Sequence, residues 1–408
     1  MRITPLENWL RAKLGVGCTR MTGETIRSYQ LGKLRETIDY VKTRSPFYKH
    51  HLAEIKSTEI FSLEDLALIP FTTPDDLGHN PLQFLCVSED DTNRVVTLHT
   101  PGTTGNPKRV YLTREDLELT IDFFQHSMTD IVQPGYRTLI LLHDERPGSI
   151  GHLFGVALQR CGADGMFLGP VRDVPNTLNI MERKHINTLV GTPTEILSLA
   201  RHSSGAAAPN NIILSTACVP DFVCREIVRI WGCDVYTHYG MTETAFGGGM
   251  ECDARNGYHM QEADLYFEIV DPKTGIPLTP GEWGEVVVTT LTRKGMPLIR
   301  YRTGDVSRFV PEPCPCGTVL RTMARVTGRT KSYVVPPGGA IPNRAGSDRK
   351  FSDHIMHCFR TVHNRNGVPK RLKISSETLA ASNGKGHSKD DRPAVPAEQD
   401  RAAGGLHG

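Results

Sequence analysis

The sequence predicts an α/β protein in which parallel strands alternate with helices, followed by a mainly antiparallel β region and a polar C-terminal stretch. Two patterns carry that prediction. Short apolar runs at residues 138–142, 188–190 and 212–214 alternate with helical segments at 194–200 and 221–230, as repeated βα units with a buried parallel sheet require. Over residues 258–309 the pattern changes. Leu265–Val270 and residues 284–289 read as strands separated by the turn chemistry of Asp271-Pro272-Lys273-Thr274-Gly275, so an antiparallel sheet is expected there.

Each element has a local reason. Residues 25–52 place Ile26, Leu31, Leu34, Ile38 and Val41 at helical spacing with charges between them. That helix should end near Ser45-Pro46, because the residue before a proline disfavours the helical region. Arg94–Leu98 and residues 109–112 read as strands flanking a Gly/Thr-rich loop. Thr113 then suits a helix N-cap, with Asp116 in the reciprocal capping-box position. Cys233-Asp234-Val235-Tyr236 reads as a further strand. Beyond Gly328 apolar density falls, and from about residue 375 there is too little apolar surface to offset the entropy of ordering. The expected organisation is therefore a large domain over residues 1–328, a short region over 329–375 and a disordered tail over 376–408.

Composition narrows the class without naming it. The chain has 408 residues, 38% hydrophobic and 23% charged, with a formal net charge of +2, which singles out neither nucleic acid nor an anionic membrane as partner. No apolar run is long enough for a membrane span, and the N-terminal residues lack the apolar centre of a secretory signal. The 10 cysteines are irregularly spaced and do not read as a disulfide framework, so a reducing, cytoplasmic setting is expected. Most of them, including Cys218 and Cys224, should be small core residues.

Four motifs carry chemistry. Thr100-Pro101-Gly102-Thr103-Thr104-Gly105-Asn106-Pro107-Lys108 combines close backbone approach, hydroxyl and N–H donors and an ammonium, which suits a polyphosphate; a plain hairpin turn reads the same residues. Tyr239-Gly240-Met241-Thr242-Glu243 sets a carboxylate beside a hydroxyl at a strand end, as a site for Mg²⁺ and a phosphate or as a solvated turn. In Arg300-Tyr301-Arg302-Thr303-Gly304-Asp305 the aspartate can accept both ribose hydroxyls, or can be an ordinary turn residue. In Gly328-Arg329-Thr330-Lys331 the arginine can reach a ribose or an α-phosphate.

In this order, the four resemble the core motifs of adenylate-forming (AMP-binding) enzymes. The opening segment, with Gln30, Leu34, Arg35, Ser45-Pro46-Phe47-Tyr48 and Ile69-Pro70-Phe71-Thr72-Thr73, is similar to that of phenylacetate–CoA ligases. The resemblance covers roughly residues 25–340. It implies ATP-dependent activation of a small carboxylic acid, expected to be aromatic, as an acyl-adenylate, followed by transfer to CoA. It assigns Thr103, Thr104, Gly105 and Lys108 to the phosphates, Thr242 to the α-phosphate and Glu243 to Mg²⁺. Asp305 and Arg329 go to the ribose, and Tyr239 with Gly240 to the adenine. A homodimer fits family habit. Adenylyl transfer to a cofactor without a thiol step, and a nucleotide-binding protein without turnover, are the alternatives.

Cys252, His259, Cys314 and Cys316 form the donor set of a closed tetrahedral zinc site, although Cys-Pro-Cys is tighter than the common Cys-x-x-Cys. The resemblance favours such a cluster in a structural role, against free buried cysteines and a surface histidine. His143, Arg146 and His152 lie on a loop near where the resemblance places the acyl pocket, or are ordinary surface groups, and Gly247-Gly248-Gly249 reads as a flexible loop or a close approach to ligand. The chain departs from the family in two places. Pro101 replaces a small hydroxyl residue, removing a donor and stiffening the loop. The region after Arg329 is shorter than the family's mobile lid, and Lys385 alone has the glycine-flanked setting of the lid lysine.

Overall fold

The computed structural model describes residues 2–15, 21–98, 108–143, 146–203 and 208–330. The chain divides into two units, Met1–Gly367 and Val368–Gly408, and every described residue belongs to the first. The N-terminal part runs α1 (Pro5–Leu14), α2 (Gly23–Arg44), α3 (Pro46–His51) and α4 (Pro74–His79). As expected, the long helix stops before Pro46; Ser45 ends α2 and caps α3, accepting a hydrogen bond from the Tyr48 N–H at 3.3 Å.

A ribbon of β1 (Arg94–Leu98) and β2 (Lys108–Leu112) follows, antiparallel and in the register Arg94↔Leu112 to Leu98↔Lys108. The next segment is α5 (Arg114–Met128), opened by the predicted Thr113/Asp116 capping box. Then come β3 (Arg137–Ile140), α6 (Ile150–Arg160), β4 (Asp164–Phe167), α7 (Val174–Arg183) and β5 (Thr188–Gly191). The alternation continues with α8 (Pro193–His202), β6 (Asn211–Leu214), α9 (Asp221–Trp231) and β7 (Asp234–Gly240). Thereafter the described chain is mainly β: β8 (Gly248–Glu251), β9 (Tyr258–Met260), β10 (Leu265–Val270), β11 (Gly284–Thr290), β12 (Tyr301–Ser307), β13 (Thr322–Met323) and β14 (Gly328–Arg329).

Among the described residues these strands form a mixed sheet in the order β13-β9-β8-β7-β6-β5-β3-β4 and a second sheet, β10-β11-β12-β14. Strands β3 to β7 pair in parallel, whereas β8, β9 and β13 pair antiparallel. The second sheet is antiparallel throughout.

Strand periodicity explains the two-sided core. Leu139 and Leu141, with Leu189, Ile212, Leu214 and Val235, pack into one cluster with Ile196, Val223 and Ile227 of α8 and α9. Their neighbours Ile140, Leu142, Val190, Ile213 and Tyr236 point the other way, against Phe123, Phe124, Phe154 and Leu158 of α5 and α6. Both faces are covered, so successive residues at the centres of these strands are apolar. Each such side chain contributes roughly 1.5–3 kcal/mol when fully buried. A third cluster joins α2 to the antiparallel sheet through Leu34, Ile38, Phe267, Val288 and Tyr301. No described helix is long and apolar enough to cross a membrane.

Candidate active site

The second motif sits where β7 leaves the parallel part of the sheet, the usual edge for ligands in open α/β sheets. Gly240 is required by space: a Cβ there would lie 2.1 Å from the Phe246 carbonyl oxygen and 2.7 Å from the His238 ring. The chain then makes one tight turn, Thr242–Thr244, followed by Ala245 and Phe246 at φ 54° and 71°. Left-handed backbone at non-glycine residues costs about 1–3 kcal/mol each and persists only where neighbours hold it. Here they do. Thr120 Oγ1 on α5 donates to the Ala245 carbonyl at 2.8 Å, and Arg293 Nη2 donates to that of Thr244 at 2.8 Å. Glu243 is thereby carried on a clamped corner and is 7% exposed.

Glu243 meets Lys108, the first residue of β2, and Tyr301, the first residue of β12. Lys108 Nζ donates to Glu243 Oε1 at 2.6 Å and to the Tyr301 hydroxyl oxygen at 3.2 Å. The Tyr301 hydroxyl in turn donates to the same Oε1 at 2.8 Å. All three residues are buried. Burial and the nearby Glu243 carboxylate push the Tyr301 pKa far up, so its hydroxyl stays a donor.

The third motif is a bulge with a purpose. Strand β12 pairs with β11 at Val287↔Arg302 and Glu285↔Val306, so Thr303, Gly304 and Asp305 are crowded opposite Val286. Gly304 adopts φ 76°, which glycine does at no steric cost. Thr303 Oγ1 donates to the Val286 carbonyl at 2.7 Å and accepts from the Asp305 N–H at 3.0 Å. Asp305 accepts from the Tyr239 hydroxyl on Oδ2 at 3.0 Å and from Arg329 Nε on Oδ1 at 2.9 Å. Each carboxylate oxygen keeps a lone pair for a diol. Burial raises the Asp305 pKa and Arg329 opposes that rise. The Arg329 side chain is 61% exposed, so this ion pair adds little stability and the arginine can move.

Of the residues read from sequence, Lys108, Glu243, Tyr239, Gly240, Asp305 and Arg329 are thus brought to one region by β2, β7, β12 and β14. Thr242 lies half-buried beside Glu243, and among the described residues its hydroxyl has no hydrogen-bond partner. Thr103, Thr104, Gly105, Pro101, Lys385, the lid region beyond Thr330 and the tail lie outside the described residues. Gly248 and Gly249 are strand residues of β8, so the glycine run is not a loop; Cβ atoms at those positions would meet the Tyr239 carbonyl at 2.5 Å and Met260 at 2.8 Å. His143 and Arg146 are exposed, and His152 Nδ1 accepts from the Gly148 N–H at 3.3 Å at the start of α6. Cys224 is buried as expected, but Cys218 is exposed, because it lies in the connection between β6 and α9 rather than under either. Two residues went unassigned in the sequence. Tyr301 lies inside the third motif with no role assigned, and Arg293 has no local signal, since its partners, the Asp116 and Thr244 carbonyls and the Thr120 hydroxyl, are more than 40 positions away.

The four zinc-type donors converge. Cys252, His259, Cys314 and Cys316 are all buried, and their ligand atoms lie within 4.8 Å of one another. Cys252 Sγ and Cys314 Sγ are 3.7 Å apart, and Cys316 Sγ and His259 Nε2 are 3.5 Å apart. A tetrahedral site with bonds of about 2.3 Å to sulfur and about 2.0 Å to nitrogen has edges of roughly 3.5–3.8 Å, so these two edges fit that geometry. His259, expected on the surface if metal-free, is fully buried. The Ala254 N–H donates to Cys252 Sγ at 3.4 Å, as a thiolate favours.

Comparison with known proteins agrees with this architecture. The family described as AMP-binding enzyme matches residues 36–292. The phenylacetate-coenzyme A ligase of Thermus thermophilus is 31% identical over 371 residues, covering 87% of this chain and 82% of that protein. The Escherichia coli protein of the same name is 27% identical over 385 residues, covering 87% and 84%. Among solved structures, 2-hydroxyisobutyryl-CoA ligase in the postadenylation state, in complex with 2-HIB-AMP, aligns with a TM-score of 0.72. It is 18% identical and covers 89% of this chain and 92% of that one, a likeness of fold alone. The chain belongs to the AMP-binding enzyme family, among proteins of the phenylacetate–CoA ligase type.

Proposed function

We propose that the protein activates a small carboxylic acid, aromatic in the first instance, with ATP and transfers the acyl group to CoA. The observation that carries this reading is the meeting of Lys108, Glu243 and Tyr301 beside Tyr239, Asp305 and Arg329, contributed by strands of three separate sheets and the turn that follows β7. The chemical obstacle is repulsion between an acid carboxylate and an already anionic α-phosphate. Asp305 would hold the ribose while Lys108 offsets phosphate charge and Thr242 donates to the α-phosphate, which positions the nucleotide for attack. Glu243 suits Mg²⁺, because among the described residues its Oε2 accepts no hydrogen bond. The ion supplies charge neutralisation on the phosphates when bound. The relatives' names support CoA as acceptor.

The same reading gives the Cys252/His259/Cys314/Cys316 cluster a structural zinc, with no position left for substrate. It also includes a cytoplasmic location and a homodimer, which fractionation and light scattering would check. The primary test is ATP–pyrophosphate exchange against a panel of aryl and short-chain acids, with Glu243→Ala as control. Exchange dependent on one acid and lost in the variant supports adenylation, and CoA-dependent AMP release supports the thiol step. No exchange with any acid, despite ATP binding, would sink the proposal.

A further inference from the structure

We propose that Tyr301 is a positioning residue that holds the Glu243 carboxylate ready for a divalent cation; this rests on the reading above, in which Glu243 takes the cation and Lys108 the phosphates. The two oxygens of Glu243 are treated differently. Oε1 accepts from Lys108 Nζ at 2.6 Å and from the Tyr301 hydroxyl at 2.8 Å. Among the described residues Oε2 accepts from none. Saturating one oxygen fixes the carboxylate plane and leaves the other to a cation.

The two donors differ in mobility. Lys108 has a flexible four-carbon stem and must swing if its ammonium is to follow a phosphate. Tyr301 cannot follow. Its ring is fully buried in the cluster shared by α2 and the antiparallel sheet, and its backbone is paired with Val288. When Lys108 turns to the nucleotide, Tyr301 keeps Oε1 occupied and prevents Glu243 from rotating or being left buried without a partner. Packing alone does not require this hydroxyl, since phenylalanine would fill the same core volume. A buried tyrosine hydroxyl set between an ammonium and a carboxylate is placed there for those charges.

The test uses calorimetric ATP binding by the full chain, with Mn²⁺ and separately with excess EDTA, plus Mn²⁺ counting by paramagnetic resonance. For Tyr301→Phe we expect Mn²⁺-dependent ATP affinity to fall about 10–100-fold, the range for losing a partner of a metal ligand. Metal-free ATP affinity should stay within about threefold and Tm within a few degrees, as the ring is kept. In a Lys108→Met background the same substitution should weaken Mn²⁺ dependence by the same factor. Unchanged Mn²⁺-dependent affinity overturns the proposal. So does an equal loss with and without metal, which marks a merely structural hydroxyl, or an effect that vanishes in the Lys108→Met background. If wild-type ATP binding ignores both Mn²⁺ and Glu243→Ala, the cation role of Glu243 fails first, and that outcome is distinct from failure of Tyr301 alone.

Discussion

Replacing Arg300 by methionine should unfold the protein more readily while leaving the chemistry of the site formally intact. Arg300 is 2% exposed, sits at φ 47°, and spends its guanidinium entirely inside the protein. Nε and Nη2 donate to Glu268 Oε2 and Oε1 at 3.2 and 3.0 Å, and Nη1 donates to the carbonyls of Ile69 and Ala67 at 2.7 and 3.2 Å. The plane also lies 4.1 Å from the Phe71 ring centroid. Methionine fills much of the volume but leaves Glu268 buried without its partner. Breaking a buried pair from one side costs about 3–5 kcal/mol. For a large domain that is a fall in Tm of roughly 5–10 °C.

The loss should depend on pH. Burial raises the Glu268 pKa in the folded state and Arg300 opposes that rise, so removing Arg300 lifts it further. A carboxyl raised above its unfolded value costs nothing where both states are protonated, below about pH 4. It destabilises progressively as pH climbs through the folded pKa. The deficit of Arg300→Met should therefore be smallest near about pH 5 and grow toward about pH 8. Adding Glu268→Gln should restore part of it. Differential scanning fluorimetry across that range is the assay. A deficit under about 1 kcal/mol, or one flat with pH, would refute the argument.

Three further outcomes follow from the geometry. Asp305→Ala removes the carboxylate shared by Tyr239 and Arg329 and should raise the KM for ATP roughly 10–100-fold in pyrophosphate exchange, the worth of one to two charge-assisted hydrogen bonds. An unchanged KM would remove Asp305 from the nucleotide site. Gly240→Ala forces a methyl to 2.1 Å from the Phe246 carbonyl, so it should cost about 1–3 kcal/mol by thermal melting and lower exchange by shifting Glu243. A fully active, equally stable variant would mean the corner yields. Cys316→Ser should abolish one zinc per chain by elemental mass spectrometry and lower Tm to that of chelator-treated wild type; wild-type protein purified without zinc would sink the metal reading.

Those parts of the fold and site that depend on near neighbours were legible along the chain. The capping box at Thr113 and Asp116, the helix break at Pro46 and the βα alternation are local chemistry, and all appear where the sequence puts them. Strand ends were less legible: the run expected at 138–142 is paired only over Arg137–Ile140, and the strand expected at 233–236 continues to Gly240. Apolarity marks burial, whereas pairing is decided by the neighbouring strand. The motif residues Lys108, Glu243, Tyr239 and Asp305 were visible because the spacing of residues along the chain is preserved in the text of a motif. Relations across the chain were set by packing. Tyr301 and Glu243 are 58 positions apart, and Arg293 reaches the Thr244 carbonyl over 49. Hydrogen bonds of that span leave no periodicity or composition to read; they exist only once the strands and turns of separate sheets are brought together. The same holds for the metal cluster. Its residue types could be listed from sequence, but that four donor atoms fall within 4.8 Å depended on β9 and the Cys314-Pro315-Cys316 turn being folded onto each other.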